Sequence, residues 1–253
     1  MALPRVIPVL LLRKKGLVKT IHFRDSRYVG DPFNAVKIFN EKEVDELVVL
    51  DIDAAREKRD PSYDYLKEIA SECFMPLAYG GGVKTIDQIK KLIQSGIEKI
   101  VINTEALANP VFVEEACKQF GSSTIIGAMD VKKNIWGTRK VYQHRDAKAL
   151  SHDPIDYARK LEQLGVGEIF VNSVDRDGTR QGYDHDLIAG ITAQVGVPVI
   201  ACGGCSGLDD IKKAVRESGA KAAAAGSFFV FHGKHQAVLI TYPSYESLRE
   251  IFV

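Results

Sequence analysis

The sequence has no long apolar run, few cysteines and almost no net charge. No run reaches the roughly 18 residues that a membrane-spanning helix needs, and the first residues show no charged and apolar signal segment. Four cysteines, at positions 73, 117, 202 and 205, do not form a disulfide framework in a chain of 253 residues. A formal net charge of +1 gives no overall attraction to nucleic acid or to an anionic membrane. We therefore expect a cytoplasmic protein that binds neither.

An internal repeat is the most informative feature. Four blocks of the first half recur 122 or 123 positions later. They are Asp31-Pro32 with Asp153-Pro154, Glu46–Asp53 with Glu168–Asp175, Pro76–Gly82 with Pro198–Gly204, and Ser95–Thr104 with Ser218–Ser227. We interpret residues 1–253 as one domain made of two related halves, about 1–121 and 122–253.

Short apolar runs alternate with amphipathic segments along both halves. Runs such as Val6 to Leu12 and Ile169 to Val171 have the length of strands buried on both faces, and Ile86 to Gln94 has helical spacing. Aspartate followed by proline marks helix starts at Asp31 and Asp153. Four strands in each half predict a single (β/α)8 TIM barrel of two half-barrel repeats. An open doubly wound sheet is the alternative, but it usually lacks such a repeat.

Glycine-rich loops follow strands 3 and 7, where barrel enzymes place their chemistry. Gly80 to Gly82 and Gly203-Gly204 allow backbone N–H groups to approach an anion closely. Asn103-Thr104 and Gly226-Ser227 each precede a helical segment that offers further N–H groups. The pairing predicts a ligand with two phosphates. The alternative is that these glycines only make tight turns.

Carboxylates and thiols near the strand ends are the other chemical candidates. Asp130 ends strand 5 and can act as a general acid or base, whereas strand 1 carries Leu11 and no acid. Asp51 is also a candidate acid or base, and a structural role in which it orders its own loop is an equally good interpretation. The cysteines at 202 and 205 lack a second CxxC pair, so we predict no metal and no cofactor. We predict a polar, mobile loop at Lys132 to Lys140, after strand 5.

Four charged residues lie at the opposite ends of the strands. Arg5, Glu46, Lys99 and Glu168 stand at or beside the starts of strands 1, 2, 4 and 6. Buried charges need partners, so a salt-bridged plug that stabilises the barrel bottom is one interpretation. A gate that admits a small molecule to the barrel axis is the other.

Over essentially its whole length the chain resembles the cyclase subunit of imidazole glycerol phosphate synthase. The matching motifs are Gly30-Asp31-Pro32, Asp45-Glu46-Leu47, Leu50-Asp51-Ile52, Gly80-Gly81-Gly82, Ile102-Asn103-Thr104 and the particularly specific Asp175-Arg176-Asp177-Gly178-Thr179. In that family the barrel pairs with a glutaminase. Ammonia from the glutaminase travels through the barrel and reacts with a bisphosphate substrate at the mouth.

The resemblance also implies roles for particular residues. It implies that Asp130 is catalytic and that Lys19 belongs to a mobile active-site loop. The implied ammonia gate is Arg5, Glu46, Lys99 and Glu168. The implied phosphate-binding residues are Gly82, Asn103, Thr104, Asp177, Gly178, Gly204, Gly226 and Ser227.

The chain departs from the family at Leu11. The family's cyclase has an aspartate after strand 1, and leucine cannot exchange a proton, so we predict poor cyclase turnover. An intact gate without this acid is similar to a divergent branch found with acetamidino-sugar modification in surface polysaccharide (lipopolysaccharide O-antigen) synthesis. There the barrel passes ammonia from a glutaminase to a separate sugar amidotransferase.

Three functions stay open. The first, which we favour, is an ammonia-conducting subunit of a glutamine-dependent amidotransferase complex, with a HisH-type glutaminase and a sugar amidotransferase as partners. The second is an authentic cyclase of histidine biosynthesis, which makes imidazole glycerol phosphate and AICAR from PRFAR and ammonia. The third is a non-catalytic barrel that holds a phosphorylated small molecule without opening a channel.

Overall fold

A computed structural model describes residues 3–253 and contains a closed barrel of eight parallel strands. The barrel strands are β1 (Arg5–Arg13), β2 (Leu47–Asp51), β3 (Leu77–Gly80), β4 (Lys99–Ile102), β5 (Ile125–Lys133), β6 (Glu168–Ser173), β7 (Val199–Cys202) and β8 (Ala222–Ala225). Each strand pairs with the next, and β8 pairs with β1, for example Val6 with Ala223. The predicted (β/α)8 barrel is confirmed.

Helices follow the strands and cover the outside of the barrel. They are α1 (Pro32–Glu41), α2 (Tyr63–Ser71), α3 (Ile86–Gln94), α4 (Thr104–Ala108), α5 (Pro110–Phe120), α6 (Pro154–Gln163), α7 (His185–Thr192), α8 (Leu208–Arg216), α9 (Ser227–Val230) and α10 (Tyr245–Phe252), with a 3₁₀ turn at Ser122–Thr124. No helix within residues 3–253 is long and apolar enough to cross a bilayer.

The helix starts follow from their capping residues. Asp31 and Asp153 accept hydrogen bonds from backbone N–H groups of the first turns of α1 and α6, and proline follows each of them. At α3, Thr85 and Gln88 cap each other's backbone N–H groups reciprocally. These contacts explain why both helices with an Asp-Pro start begin where the sequence indicates.

Two core layers result from the alternation of side chains along the strands. On β1, Ile7 and Val9 belong to an apolar cluster inside the barrel, whereas Val6 and Leu10 pack outward against the helices. The inner cluster also contains Phe170 and several small residues of β3, β5 and β8. The barrel interior is therefore apolar over most of its length.

Two hairpins extend barrel strands beyond the mouth. β1 continues into strands Gly16–Ile21 and Arg24–Gly30, and β5 pairs with Arg139–Gln143, which pairs with Lys148–Ala149. A smaller hairpin joins Phe231–His232 to Ala237–Val238. The segment Lys132 to Lys140 forms a hairpin around the turn at 134–138, with Trp136 84% exposed at its tip, and its mobility stays a prediction.

Candidate active site and barrel entrance

A cavity of about 410 Å³ opens at the carboxyl ends of the strands. Every residue that the sequence assigned to catalysis or phosphate binding lines it. These residues are Lys19, Gly82, Asn103, Thr104, Asp130, Asp177, Gly178, Gly204, Gly226 and Ser227. The fold therefore brings the ten residues together, and their chemical roles stay predictions.

The paired glycines of the β3 and β7 loops adopt conformations that other residues avoid. Gly82 has φ +70° and Gly204 has φ +98°. A side-chain Cβ at Gly82 would lie 2.5 Å from the Arg59 carbonyl oxygen, and one at Gly204 would lie 2.4 Å from the Gly182 carbonyl oxygen. Tight turns thus require these glycines, whether or not the loops also hold phosphate.

Two short helices point their first residues at the cavity from opposite halves of the chain. Asn103 precedes α4 with φ −118° and ψ −73°, and Gly226 precedes α9 with φ −106° and ψ −76°. Thr104 and Ser227, the first helical residues, line the cavity. The two loops therefore offer similar backbone geometry and a hydroxyl group to a ligand.

Asp130 is a buried carboxyl group on the inner face of β5. It follows Ile126 and Ala128 in the inward row of that strand. The Asn103 side chain donates a hydrogen bond from Nδ2 to Asp130 Oδ2 over 2.8 Å. Burial raises the pKa of Asp130 to about 7, because the hydrogen bonds from Asn103 and Asn172 offset only part of the cost of burying the charge. A group with this pKa exchanges protons at neutral pH.

Lys19 lies on the first hairpin strand and turns inward to the same cavity. Its side chain is buried, and Nζ donates a hydrogen bond to the Val9 carbonyl oxygen over 2.5 Å. Burial lowers the pKa of Lys19 to about 8, although the charge of Asp177 opposes the shift. A Cβ at Gly226 would lie 2.6 Å from Nζ, so the glycine leaves room for the amine.

The first hairpin is held against the loop after β6. Thr20 donates a hydrogen bond from Oγ1 to Asp177 Oδ2 over 3.0 Å, and the His22 backbone N–H donates to the Asp177 carbonyl oxygen. A side chain at Gly178 would overlap the Thr20 carbonyl oxygen. Asp177 therefore orders the loop and hairpin, and its carboxylate already has a partner.

The tip of the first long hairpin contacts the second hairpin at the end of its strand Arg139–Gln143, above the mouth. The Phe23 ring contacts His144 edge to face, with ring centres 5.2 Å apart, and lies 6.3 Å from the Tyr142 ring. His22 and Phe23 form the turn with φ values of +51° and +62°, which is unfavourable for side chains of their size. Sequence reasoning did not identify Phe23 and His144, although both line the cavity.

The other candidate acid, Asp51, has structural partners. Asp51 forms a bidentate salt bridge with Arg59 over 3.0 and 3.1 Å, and it accepts hydrogen bonds from the backbone of Asp53 and Ala54. Leu11 faces inward, lines the cavity and packs against the apolar inner cluster. The geometry thus favours loop ordering for Asp51.

The four charged residues at the other end form one ring of salt bridges. Lys99 Nζ lies 2.9 Å from Glu46 Oε2 and 2.8 Å from Glu168 Oε1, and Arg5 bonds both carboxylates over 2.5 Å. Glu46 is only 2% exposed. Burial alone would raise the pKa of Glu168, but hydrogen bonds from Arg5 and Lys99 outweigh it and lower that pKa below its ordinary value.

The cysteines and the acidic residues do not assemble into a metal site within residues 3–253. Cys202 and Cys205 are both buried, and burial raises the pKa of both thiols. Cys202 lines the inner wall of the mouth beside the apolar cluster. Their positions are those of packed side chains.

Comparison with known proteins gives matches over nearly the whole chain. The sequence profile of the family described as "Histidine biosynthesis protein" matches residues 5–236. "Putative imidazole glycerol phosphate synthase subunit hisF2" of Pseudomonas aeruginosa is 48% identical over 244 residues, which cover 96% of this chain and 97% of that protein. A protein of Leptospira borgpetersenii, "Putative imidazole glycerol phosphate synthase subunit HisF", is 46% identical over 95% of each chain. "Imidazole glycerol phosphate synthase subunit HisF" of Alkaliphilus metalliredigens is 39% identical over 90% of each.

Proposed function

The chain belongs to the histidine biosynthesis protein family, among the HisF-type cyclase subunits of imidazole glycerol phosphate synthase, and we propose that it is a subunit that conducts ammonia. In this proposal a HisH-type glutaminase releases ammonia at the charged end of the barrel. The ammonia leaves at the mouth for a separate sugar amidotransferase. That enzyme forms an acetamidino group on a sugar of a surface polysaccharide.

One observation carries the proposal: the charge ring is complete while the mouth has a leucine in place of an acid. Arg5, Glu46, Lys99 and Glu168 are all present and mutually paired. Leu11 instead adds an apolar side chain to the inner wall. Apolar residues in place of a buried set of paired charges are often neutral or stabilising, so the presence of all four charges supports a role beyond holding the barrel end together.

The apolar interior suits a neutral passenger. Uncharged ammonia loses little when it leaves water for an apolar wall, whereas ammonium would pay the cost of burying a charge. The inner cluster, from Ile7 to Phe170, supplies that wall. The ring is the place where the passage would have to open, since its salt bridges span β1, β2, β4 and β6.

The glycine loops support a second part of the proposal, which is a phosphorylated ligand at the mouth. Gly82, Asn103 and Thr104 would hold one phosphate, and Gly178, Gly204, Gly226 and Ser227 the other. Asp177 would contribute by fixing Gly178, because its carboxylate is bonded to Thr20.

Cyclase activity is the second candidate, and a specific observation favours it. Asp130 has a pKa of about 7 and Lys19 a pKa of about 8, and both lie in the mouth. Such groups can exchange protons at neutral pH. In this reading, Asp130 and Lys19 would be catalytic, and another group would replace the acid missing at Leu11.

Ammonia-dependent conversion of PRFAR distinguishes the two candidates. The parent, Leu11→Asp and the matched non-acidic control Leu11→Asn would be assayed with ammonium salts. We expect no turnover in the parent or the asparagine variant and a gain in the aspartate variant. Clear turnover in the parent would contradict the proposal and establish the cyclase.

A glutaminase test complements it. The purified barrel should bind a HisH-type glutaminase and stimulate glutamine hydrolysis, and Lys99→Met should change that stimulation. Failure to bind a HisH-type glutaminase would refute the ammonia-conducting role.

A further inference from the structure

We propose that three hairpins at the mouth form the docking surface for the enzyme that accepts the ammonia, and that this enzyme binds through an acidic face with apolar side chains at its centre. The hairpins comprise residues 13–30, 132–149 and 231–239, and together they are called the hairpin rim. The inference rests on the proposed function and deepens it, because it names where the sugar amidotransferase binds and the chemistry of its binding face.

Charge is distributed very unevenly between the hairpin rim and the rest of the chain. The rim contains 13 of the 34 lysines and arginines but only 2 of the 33 aspartates and glutamates. Its formal charge is therefore +11 and the other residues together carry −10, although the whole chain has only +1. A local excess of this kind attracts an oppositely charged partner and orients it during the encounter.

Most of these positive charges have no partner within the protein. Among residues 3–253, the rim forms salt bridges only through Arg13, Arg139 and Arg145. Of the ten other lysines and arginines of the rim, Lys19 lines the mouth cavity and nine lie outside its lining. A phosphorylated ligand in the cavity would not neutralise those nine charges, so they indicate a larger acidic partner.

Exposed apolar side chains are concentrated on the same hairpins. Of the eleven large hydrophobic side chains that are exposed within residues 3–253, six belong to the rim, which has only 45 of the 253 residues. They are Ile21, Tyr28, Ile135, Trp136, Val238 and Leu239. Protein interfaces combine such apolar and aromatic side chains with a charged surround, and a few residues, often Trp, Tyr and Arg, supply most of the binding energy. Nucleic acid would offer phosphates to the cations but no matching surface to the aliphatic side chains.

The three hairpins form one continuous surface. The Phe23 ring on the first hairpin contacts His144 on the second. Arg27 on the first donates a hydrogen bond to the Gln236 carbonyl oxygen over 3.2 Å, and its guanidinium group lies 5.1 Å from the centre of the Phe231 ring on the third. The rim has 26 exposed residues, and a stable protein interface uses roughly 20–30 residues on each side. The rim is therefore large enough for a specific protein partner.

The position of the rim favours the acceptor of ammonia as that partner. Phe23 and His144 join the first two hairpins and also line the cavity, so a protein seated on the rim covers the mouth. Ammonia released into open water is diluted and protonated, whereas a covered mouth passes it on without a charge. The charge ring lies at the other end of the barrel, so a glutaminase bound there would not compete for the rim.

Isothermal titration calorimetry with the full chain tests the docking surface, and the probe is a purified sugar amidotransferase that forms acetamidino groups. We expect a complex whose Kd rises with added salt, because salt screens exposed charges. Arg24→Glu combined with Lys148→Glu, at exposed positions of the first and second hairpins, should raise the Kd at least about tenfold. The control, Lys37→Glu combined with Lys212→Glu, makes the same charge change at exposed positions of α1 and α8 and should leave the Kd unchanged.

A second variant tests the apolar part of the surface. Trp136→Ser should raise the Kd about tenfold at low and at high salt, since the loss of an apolar anchor is not screened. Phe74→Ser removes an aromatic ring of similar exposure, 86% against 84%, from the segment before β3 at the opposite end of the barrel, and it should leave the Kd unchanged. Circular dichroism checks that each variant is folded.

Two results would overturn the proposal: no binding of the amidotransferase, or equal Kd values for the rim variants and their controls. If a short duplex DNA binds instead and Arg24→Glu with Lys148→Glu abolishes that binding, the rim is a nucleic-acid site. Binding of a HisH-type glutaminase is measured separately on the same preparations. A chain that binds the glutaminase but not the amidotransferase would overturn the docking surface, and the reverse result would refute the ammonia-conducting role.

Discussion

Replacement of Asp130 by asparagine should stabilise the protein at alkaline pH. Burial raises the pKa of Asp130 to about 7, so above neutral pH the folded protein holds a buried carboxylate that the unfolded chain exposes to water. Asparagine has nearly the same shape and can still accept the hydrogen bond from Asn103. The substitution removes the buried charge and keeps the packing.

The size and sign of the effect follow from proton linkage. The pKa lies about 3 units above the ordinary value of 3.8, and each unit corresponds to about 1.4 kcal/mol. The gain in the free energy of unfolding from Asp130→Asn is therefore at most about 4 kcal/mol at pH 8. Relaxation of the folded site around the carboxylate reduces the expected gain to about 2 kcal/mol. Because the folded pKa is raised, the contribution of Asp130 to stability is greatest below pH 4 and is lost as pH rises from about 4 to 7. The gain in Asp130→Asn should vanish near pH 4.

Asp184 provides a matched control of opposite sign. It is as buried as Asp130, but hydrogen bonds from Arg139 over 2.6 and 2.9 Å outweigh burial and lower its pKa. Asparagine is also an acceptable N-cap for α7, so the cap itself survives. Asp184→Asn should therefore destabilise the protein at neutral and alkaline pH. This loss should diminish as pH falls through the lowered pKa.

Urea unfolding followed by circular dichroism at pH 8 and pH 5 measures both variants. We expect a higher midpoint for Asp130→Asn and a lower one for Asp184→Asn at pH 8, with a smaller gain for Asp130→Asn at pH 5. If both variants are destabilised at pH 8 by similar amounts, burial of the Asp130 carboxylate does not lower the stability of the protein, and the reasoning about its pKa fails.

Two further predictions use the same unfolding assay. Lys99→Met should lower the free energy of unfolding by about 3 kcal/mol at pH 7, because it leaves two buried carboxylates with one cation, and this loss should shrink as acid protonates the carboxylates. The control Lys118→Met removes an exposed pair and should change nothing measurable. Equal unfolding midpoints for the two variants would contradict a buried ring. Gly204→Ala should cost at least about 1–3 kcal/mol, since its φ of +98° and the nearby Gly182 carbonyl oxygen exclude a side chain. The control Gly190→Ala, inside α7, should be neutral or stabilising. An equal loss of stability in the two glycine variants would refute the claim that the backbone at Gly204 excludes a side chain.

The barrel could be predicted from the sequence because its signals are local and repeated. The buried strands are short apolar runs, and α3 matches its predicted range because Thr85 and Gln88 form a capping box in the sequence itself. The mouth residues could also be placed, since they follow strands whose carboxyl ends share one edge.

The hairpins and their contacts could not be predicted in the same way. Arg24–Gly30 is polar and largely exposed, so it lacks the alternation that marks a strand. The bond from Thr20 to Asp177 joins residues 157 positions apart, and no local pattern fixes the path of such a loop. The raised pKa of Asp130 likewise depends on burial by several strands, which only the folded chain creates.

The tryptophan fluorescence of the protein reports on one place, the exposed tip of the second hairpin. Trp136 is the single tryptophan of the chain and is 84% exposed in the folded state. Its emission should already resemble that of a solvated indole, so global unfolding will change its wavelength little. The same hairpin grows from the strand that carries Asp130. A blue shift would therefore report, without any label, that another molecule has covered this hairpin tip.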